Sequence, residues 1–130
     1  MEFRYIEESD YETLVDWWKF WKFPAPPIEM LPSSGVIVNK NGVDICAGFI
    51  YFTNSKTCWI EFIVSNPNVR QKEDRREAIT NVIDILCSIG KNNGYTIAYT
   101  SLKNESLQNK YLECGFIEGS KNCNEYIKRL

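Results

Sequence analysis

The chain contains no histidine. That absence excludes Ser-His-Asp and Cys-His catalysis, His-ligated zinc hydrolases and histidine proton shuttles. Any proton transfer therefore falls to Glu, Asp, Tyr, Lys, Cys or water. Paired cysteines are missing too. Cys46, Cys58, Cys87, Cys114 and Cys123 are odd in number, widely spread, and never spaced as Cys-x-x-Cys. Neither a zinc knuckle nor a thioredoxin-like pair is available, and no metal-ligating set is expected. Reduced, mostly buried thiols are the expectation. No apolar run approaches the roughly 20 residues needed to span a bilayer. Met1-Glu2-Phe3-Arg4 lacks the basic and then apolar stretch of a secretory signal, so a cytoplasmic protein without a membrane partner is expected. Net charge is −2 with no strongly basic segment, which gives no support for nucleic acid as a partner.

What is present fits one ordinary globular domain over residues 1–130. The chain is 44% hydrophobic and 25% charged, long enough to bury a proper core. Phe3-Arg4-Tyr5-Ile6 predicts a first strand. Asp10 is a candidate cap for a helix from Tyr11 to about Phe20, because a short carboxylate accepts from the free amides of a first turn. Tyr11, Leu14, Val15, Trp18 and Trp21 share one apolar stripe at helical spacing, which leaves Trp17 and Phe20 outside it. Phe23-Pro24-Ala25-Pro26-Pro27 is a stiff connector, since successive prolines remove donors and fix φ.

Val36-Ile37-Val38 and Ile45 to Phe52 flank Asn39-Lys40-Asn41-Gly42, whose Asn-Gly predicts a hairpin. A second turn at Thr53 to Lys56 leads to a strand from Cys58 to Val64, making a three-stranded meander. Ala78, Ile79, Val82, Ile83, Leu86 and Ile89 recur at three and four, predicting a long helix from about Asp74 to Ile89, stopped by Gly90 and Asn92-Asn93-Gly94. Tyr95 to Thr100 reads as a strand, Ser106 to Glu113 as a helix, and Phe116-Ile117 with Glu125-Tyr126-Ile127 as a closing pair. The order is strand, helix, three strands, helix, strand, helix, two strands. It predicts an α+β fold: a mixed sheet with helices on its faces and a parallel crossover around the long helix.

Residues 104–116 carry the most specific signal. Asn104 opens a short amphipathic helix, Tyr111 falls seven places later, and Gly115-Phe116 closes it. This resembles the Asn-x-x-x-x-x-x-Tyr-x-x-x-Gly-Phe ending of the GNAT N-acetyltransferase superfamily, whose element order also matches nearly the whole chain. The resemblance implies an acetyl-coenzyme A donor, a primary-amine acceptor and direct transfer in a ternary complex, by a monomer or homodimer. It implies that the strand before the long helix and the strand after it splay apart, with the pantetheine pairing along the backbone of Ile63, Val64 and Ser65, much as an added strand would. Asn104 would lie near the coenzyme. The pyrophosphate would sit at the start of the long helix, where free amides and the helix dipole favour anions.

Pro67 followed by Arg70 resembles the Pro-x-x-Arg that precedes the family's phosphate loop. The glycines that normally follow are replaced by Gln71-Lys72-Glu73-Asp74-Arg75-Arg76-Glu77, and the spacing to Ala78 is one residue longer. Side chains there crowd a pyrophosphate that glycine would admit. Glu73 and Asp74 would repel it, although acids in a first turn also complement a helix dipole. Arg70, Lys72, Arg75 and Arg76 are candidates to pair with phosphates; a solvated basic face is the alternative for the last three.

The resemblance implies that Tyr111 is the general acid for the departing thiolate, a role open to a phenol because it stays protonated at neutral pH; the plain alternative is a ring packing a helix on a sheet. The resemblance implies that Glu61, six residues before Pro67, is the base, a role the reaction needs because an ammonium has no lone pair until it is deprotonated; the plain alternative is a strand Glu facing solvent. Val64 lies three residues before Pro67 where the family usually has two, and a one-residue slip would turn Glu61 to the other face. Trp17 and Phe20 are assigned to the acceptor wall or to an interface. Two other readings stay open: a degenerate acyltransferase fold that binds proteins through exposed aromatics, and a subunit whose site another chain completes.

Overall fold

The computed structural model describes residues 1–130. The elements are β1 (Glu2–Tyr5), α1 (Tyr11–Phe20), β2 (Gly35–Lys40), β3 (Val43–Phe52), β4 (Thr57–Ser65), α2 (Lys72–Asn92), β5 (Ile97–Tyr99) and α3 (Glu105–Glu113). Short 3-10 turns occupy Glu8–Asp10 and Ile28–Met30. One sheet runs in the order β1-β2-β3-β4-β5. Its first four strands pair antiparallel, and β5 joins parallel to β4 through the α2 crossover. No helix is long and apolar enough to cross a membrane.

Strand alternation builds two cores. Val36, Val38, Cys46, Ile50, Cys58 and Ile60 turn to one face and meet Ala78, Val82, Ile83 and Leu86 of α2 and Tyr111 of α3. Ile37, Ala47, Phe49 and Val64 turn to the other face and meet Leu14, Trp17 and Trp18 of α1. The predicted hairpin is present: Asn41 and Gly42 hold φ of 53° and 79°, as a two-residue turn between Lys40 and Val43 requires.

Five expectations are corrected. Asp10 does not cap α1 with its side chain. Its carboxylate takes both arms of the Arg4 guanidinium at 2.9 Å and the Glu7 amide at 2.8 Å, so it locks β1 to the turn that precedes the helix. Gly90 does not end α2; it lies buried inside it, because a Cβ there would meet the Cys58 sulfur at 2.8 Å. The helix runs on to Asn92 and stops beside Gly94, which holds φ +88°. Trp21 is not core: it is 46% exposed, and its indole N–H donates to the Ser65 carbonyl at 2.8 Å. Trp17 takes the core place, only 5% exposed, because α1 rolls that side of the stripe onto Ile37 and Val64.

The closing strand pair does not form. Residues 117–130 contain no helix or strand, and Ile117, Tyr126 and Ile127 stand 92%, 91% and 79% exposed. Short apolar clusters at the two ends of a polar stretch give a hairpin too little surface to bury. A surface ion pair of Arg129 with Glu29, at 3.0 Å, ties this segment back to the turn after α1.

Candidate functional site

The site lies where β4 and β5 part. Their pairing covers Thr57↔Ile97, Cys58↔Ala98 and Trp59↔Tyr99, then stops. From Ile60 to Ser65, β4 continues with β3 on one side and no strand on the other. The cause is partly local to β4. Ala47 pairs with Val64 but Phe49 pairs with Glu61, so β4 carries one extra residue opposite Gly48. Phe62 absorbs it at φ +60°, in the left-handed region, and both Glu61 and Phe62 turn to the α1 face. This bulge lies before Val64, so it is not the extra residue counted between Val64 and Pro67 in the sequence. Glu61 precedes it, so it shares a face with Phe49 and Trp59.

Glu61 is half-buried at the mouth of the gap. The Trp59 indole donates to its Oε2 at 2.8 Å. Burial raises its pKa above the ordinary carboxylate range, with the nearby Glu125 carboxylate adding to the rise. The Trp59 indole and the Phe62 amide oppose that shift by hydrogen bonding to the charged form.

Tyr111 reaches the same gap from the opposite face. It is 4% exposed and packs among the α2-side core residues. Burial raises its pKa well above the usual phenol value, Thr100 opposes the shift by hydrogen bonding, and the Glu61 charge adds to it. Thr100 directly follows β5, so the hydroxyl sits beside the parting strands.

The Asn-Tyr-Gly-Phe spacing has a local structural cause. Asn104 caps α3, its Oδ1 accepting from the Leu107 amide at 2.9 Å. At the other end Gly115 holds φ +91°, its amide bonds the Leu112 carbonyl, and the Phe116 amide bonds the Tyr111 carbonyl, both at 3.1 Å. This is a Schellman cap, and the rings of Tyr111 and Phe116 make its accompanying apolar contact, 5.0 Å apart. Capping thus accounts for Asn104, Gly115 and Phe116. It does not require a hydroxyl on residue 111.

At the start of α2 the amides of Lys72, Glu73 and Asp74 precede the first helical bond, which Arg75 makes to the Gln71 carbonyl at 3.3 Å. Arg75 is drawn inward, its guanidinium donating to the Val69 carbonyl, so it is not turned out to meet a phosphate. Asp74 pairs with Lys40 at 3.0 Å, which offsets the repulsion expected from its charge. Arg70, Lys72 and Arg76 are exposed on the turn. A hollow of about 660 Å³ opens between this turn and the β2–β3 hairpin. Its lining, from Lys40 and Val43 to Arg70 and Asp74, includes neither Glu61 nor Tyr111.

Of the remaining sequence candidates, Ile63 packs toward α2, Val64 is buried toward α1, and the Ser65 carbonyl is already taken by Trp21. Phe20 is 60% exposed with its ring edge-on to Trp21 at 5.0 Å, whereas Trp17 is sealed in the core and walls no open site. Burial pushes the Cys46 and Cys114 thiols up to about 12, which leaves these two poor nucleophiles. Sequence reasoning did not single out the aromatic residues that stand at the last paired level before the gap. Tyr51, Trp59 and Tyr99 form a row across β3, β4 and β5. Their shared signal, apolar aromatics at alternate strand positions beside Glu61, emerges only once the three registers are known.

No family model matches this sequence, and no curated protein matches it either. Its structure is similar to solved ones. A variant of TTHA1254 from Thermus thermophilus has a TM-score of 0.73 at 13% identity, over 100% of this chain and 99% of that one. The ribosomal-protein-S18-alanine N-acetyltransferase of Escherichia coli has a TM-score of 0.71 at 13% identity, over 92% and 79%. The aminoglycoside N-acetyltransferase AAC(6')-Iy, solved with coenzyme A, has a TM-score of 0.64 at 19% identity, over 99% and 100%. At such identities the likeness is one of fold. The chain has the GNAT acetyltransferase fold.

Proposed function

We propose that the protein is an N-acetyltransferase that moves the acetyl group of acetyl-coenzyme A directly onto a primary amine. The observation that carries this reading is the parting of β4 and β5 beyond Trp59↔Tyr99, with Glu61 and Tyr111 at the gap from opposite faces. The unpaired stretch from Ile60 to Ser65 offers peptide groups for a pantetheine to pair with, as an added strand would. In this reading Asn104 would lie near the coenzyme, with its Oδ1 already held in the α3 cap. Arg70, Lys72 and Arg76 supply charge for the pyrophosphate, beside the three free amides of the α2 start. A solved structural neighbour, AAC(6')-Iy, binds coenzyme A, which supports the same donor here.

In this reading Glu61 takes a proton from the bound ammonium, and a raised pKa suits a base working near neutral pH. The freed nitrogen attacks the thioester carbonyl carbon. A C–N bond forms, the C–S bond breaks, and sulfur leaves with its electron pair. Tyr111 gives its proton to that sulfur and recovers one from the nitrogen. One amide, one thiol and one proton result.

Calorimetry with acetyl-coenzyme A tests the donor. Micromolar binding supports the enzyme. Millimolar or absent binding favours a protein-binding module, a reading that draws on the glycine-free turn. Turnover by Tyr111→Phe equal to that of the unaltered protein overturns the general-acid role.

A further inference from the structure

The acceptor face of the gap carries an unusual surface. Tyr51 lies opposite Trp59 on the neighbouring strand, and Trp59 lies opposite Tyr99 on the next. The Trp59 and Tyr99 rings are 4.4 Å apart and tilted by 39°. Phe62, thrown to this face by the bulge, stands 6.5 Å from Tyr51. The row is partly open: Tyr51 and Trp59 are half-buried and Tyr99 is 47% exposed. Tyr51 is fixed in place by its hydroxyl, which donates to the Met30 carbonyl. The row stops where the strands part, and Glu61 stands at that end, bonded to Trp59.

We infer that this row and Glu61 select an amine that carries a single cationic nitrogen on a short arm from a flat aromatic group. The inference rests on the acyl-transfer reading for the fate of the amine, but not for its binding. Aromatic faces attract both a flat ring and a cation. The Glu61 carboxylate favours the ammonium, and Glu125 nearby adds to the negative field. A linear polyamine has no flat group to lay along Trp59 and Tyr99, so it gains only the cation's share of that attraction. A many-hydroxyl sugar amine would set most of its hydroxyls against ring faces, which accept hydrogen bonds far more weakly than water does. An arylalkylamine lays its ring along Trp59 and Tyr99 and brings its nitrogen to Glu61, at the edge of the gap.

The experiment is calorimetric titration of the full chain with 2-phenylethylamine and, separately, with n-butylamine, which has a similar ammonium and no ring. The expected result is at least tenfold tighter binding of phenylethylamine, a preference retained in Tyr99→Phe and lost in Tyr99→Ala. Tyr99 is surface-exposed, so both variants are expected to fold, and far-ultraviolet circular dichroism checks this. Equal affinities for the two amines, or a preference that survives Tyr99→Ala, overturns the inference. Both results are independent of acetyl-coenzyme A. Failure of the donor titration alone would sink acyl transfer and leave the amine site standing; failure of the amine titration alone would do the reverse.

Discussion

Gly48 sits on β3 opposite the β4 bulge, and Gly48→Ala tests how packing holds the gap open. A Cβ there would fall 2.5 Å from Cδ1 of Ile63, 2.7 Å from Cγ1 of Val82 and 3.1 Å from Cδ1 of Leu86. Ordinary contacts begin near 3.4 Å or beyond, so α2 or the bulge must shift. Overpacking of this kind costs about 1–3 kcal/mol. Replacing glycine also restricts the unfolded chain, which returns about 0.4–1 kcal/mol. The steric cost prevails, and the expected net loss is about 1–2 kcal/mol. For a chain of this size that lowers Tm by roughly 3–8 °C. Thermal unfolding followed by circular dichroism reads it directly. The same displacement moves Ile63, whose backbone lines the gap, so affinity for acetyl-coenzyme A should fall with stability. A second substitution isolates the contact. Val82→Ala alone removes two buried methyls and costs about 2 kcal/mol. In the Gly48→Ala background it should cost about 1 kcal/mol less, because it clears the colliding Cγ1. Additive effects of the two changes, or a Gly48→Ala Tm within about 1 °C of the parent, would refute the packing reasoning.

Three further tests address other parts of the molecule. Arg4 holds the Asp10 carboxyl below its ordinary pKa through a paired hydrogen bond, so its stabilisation is present above the unfolded value of about 3.9 and fades as pH falls through the lower folded value. Arg4→Gln should flatten that acid limb of a stability-against-pH curve, by only about 1 kcal/mol because the Arg4 side chain is 40% exposed. Asn104→Ala removes the α3 cap and should cost about 1 kcal/mol in chemical denaturation, with Asn104→Ser restoring most of it. The acetylation rate, kcat/KM, should rise with pH through the raised pKa of Glu61, since only the ionised carboxylate accepts a proton; Glu61→Gln should remove that limb, and an unchanged profile would strip Glu61 of the base role.

The parts legible in the sequence are those with a local cause. The Asn41-Gly42 turn, the span of α1 and the alternation along β3 follow from backbone preference and period, and they fall where expected. Tertiary contacts decided the rest. Gly90 lies inside the helix where Cys58 leaves no room for a Cβ, a contact that no propensity at position 90 reveals. Trp17 and Trp21 exchange places because the roll of α1 on the sheet is set by both partners. Asp10 leaves its cap for Arg4, six residues earlier in the chain and paired across a turn. For the candidate site, the motif from Asn104 to Phe116 falls on α3, but its spacing is explained by helix caps, and only Tyr111's hydroxyl is left over. The extra residue noted between Val64 and Pro67 does not announce the bulge, which lies earlier, at Phe62. The consequence of the bulge, two neighbouring side chains on one face, needs the β3 register.

Hydrogen exchange with and without acetyl-coenzyme A measures the parting of β4 and β5 most directly. If a thioester tail lies along that edge, added protection should concentrate in amides from Ile60 to Ser65, while Thr57 to Trp59, already paired with β5, change little. Saturating acetyl-coenzyme A that leaves the exchange of residues 60–65 unaltered would contradict the account.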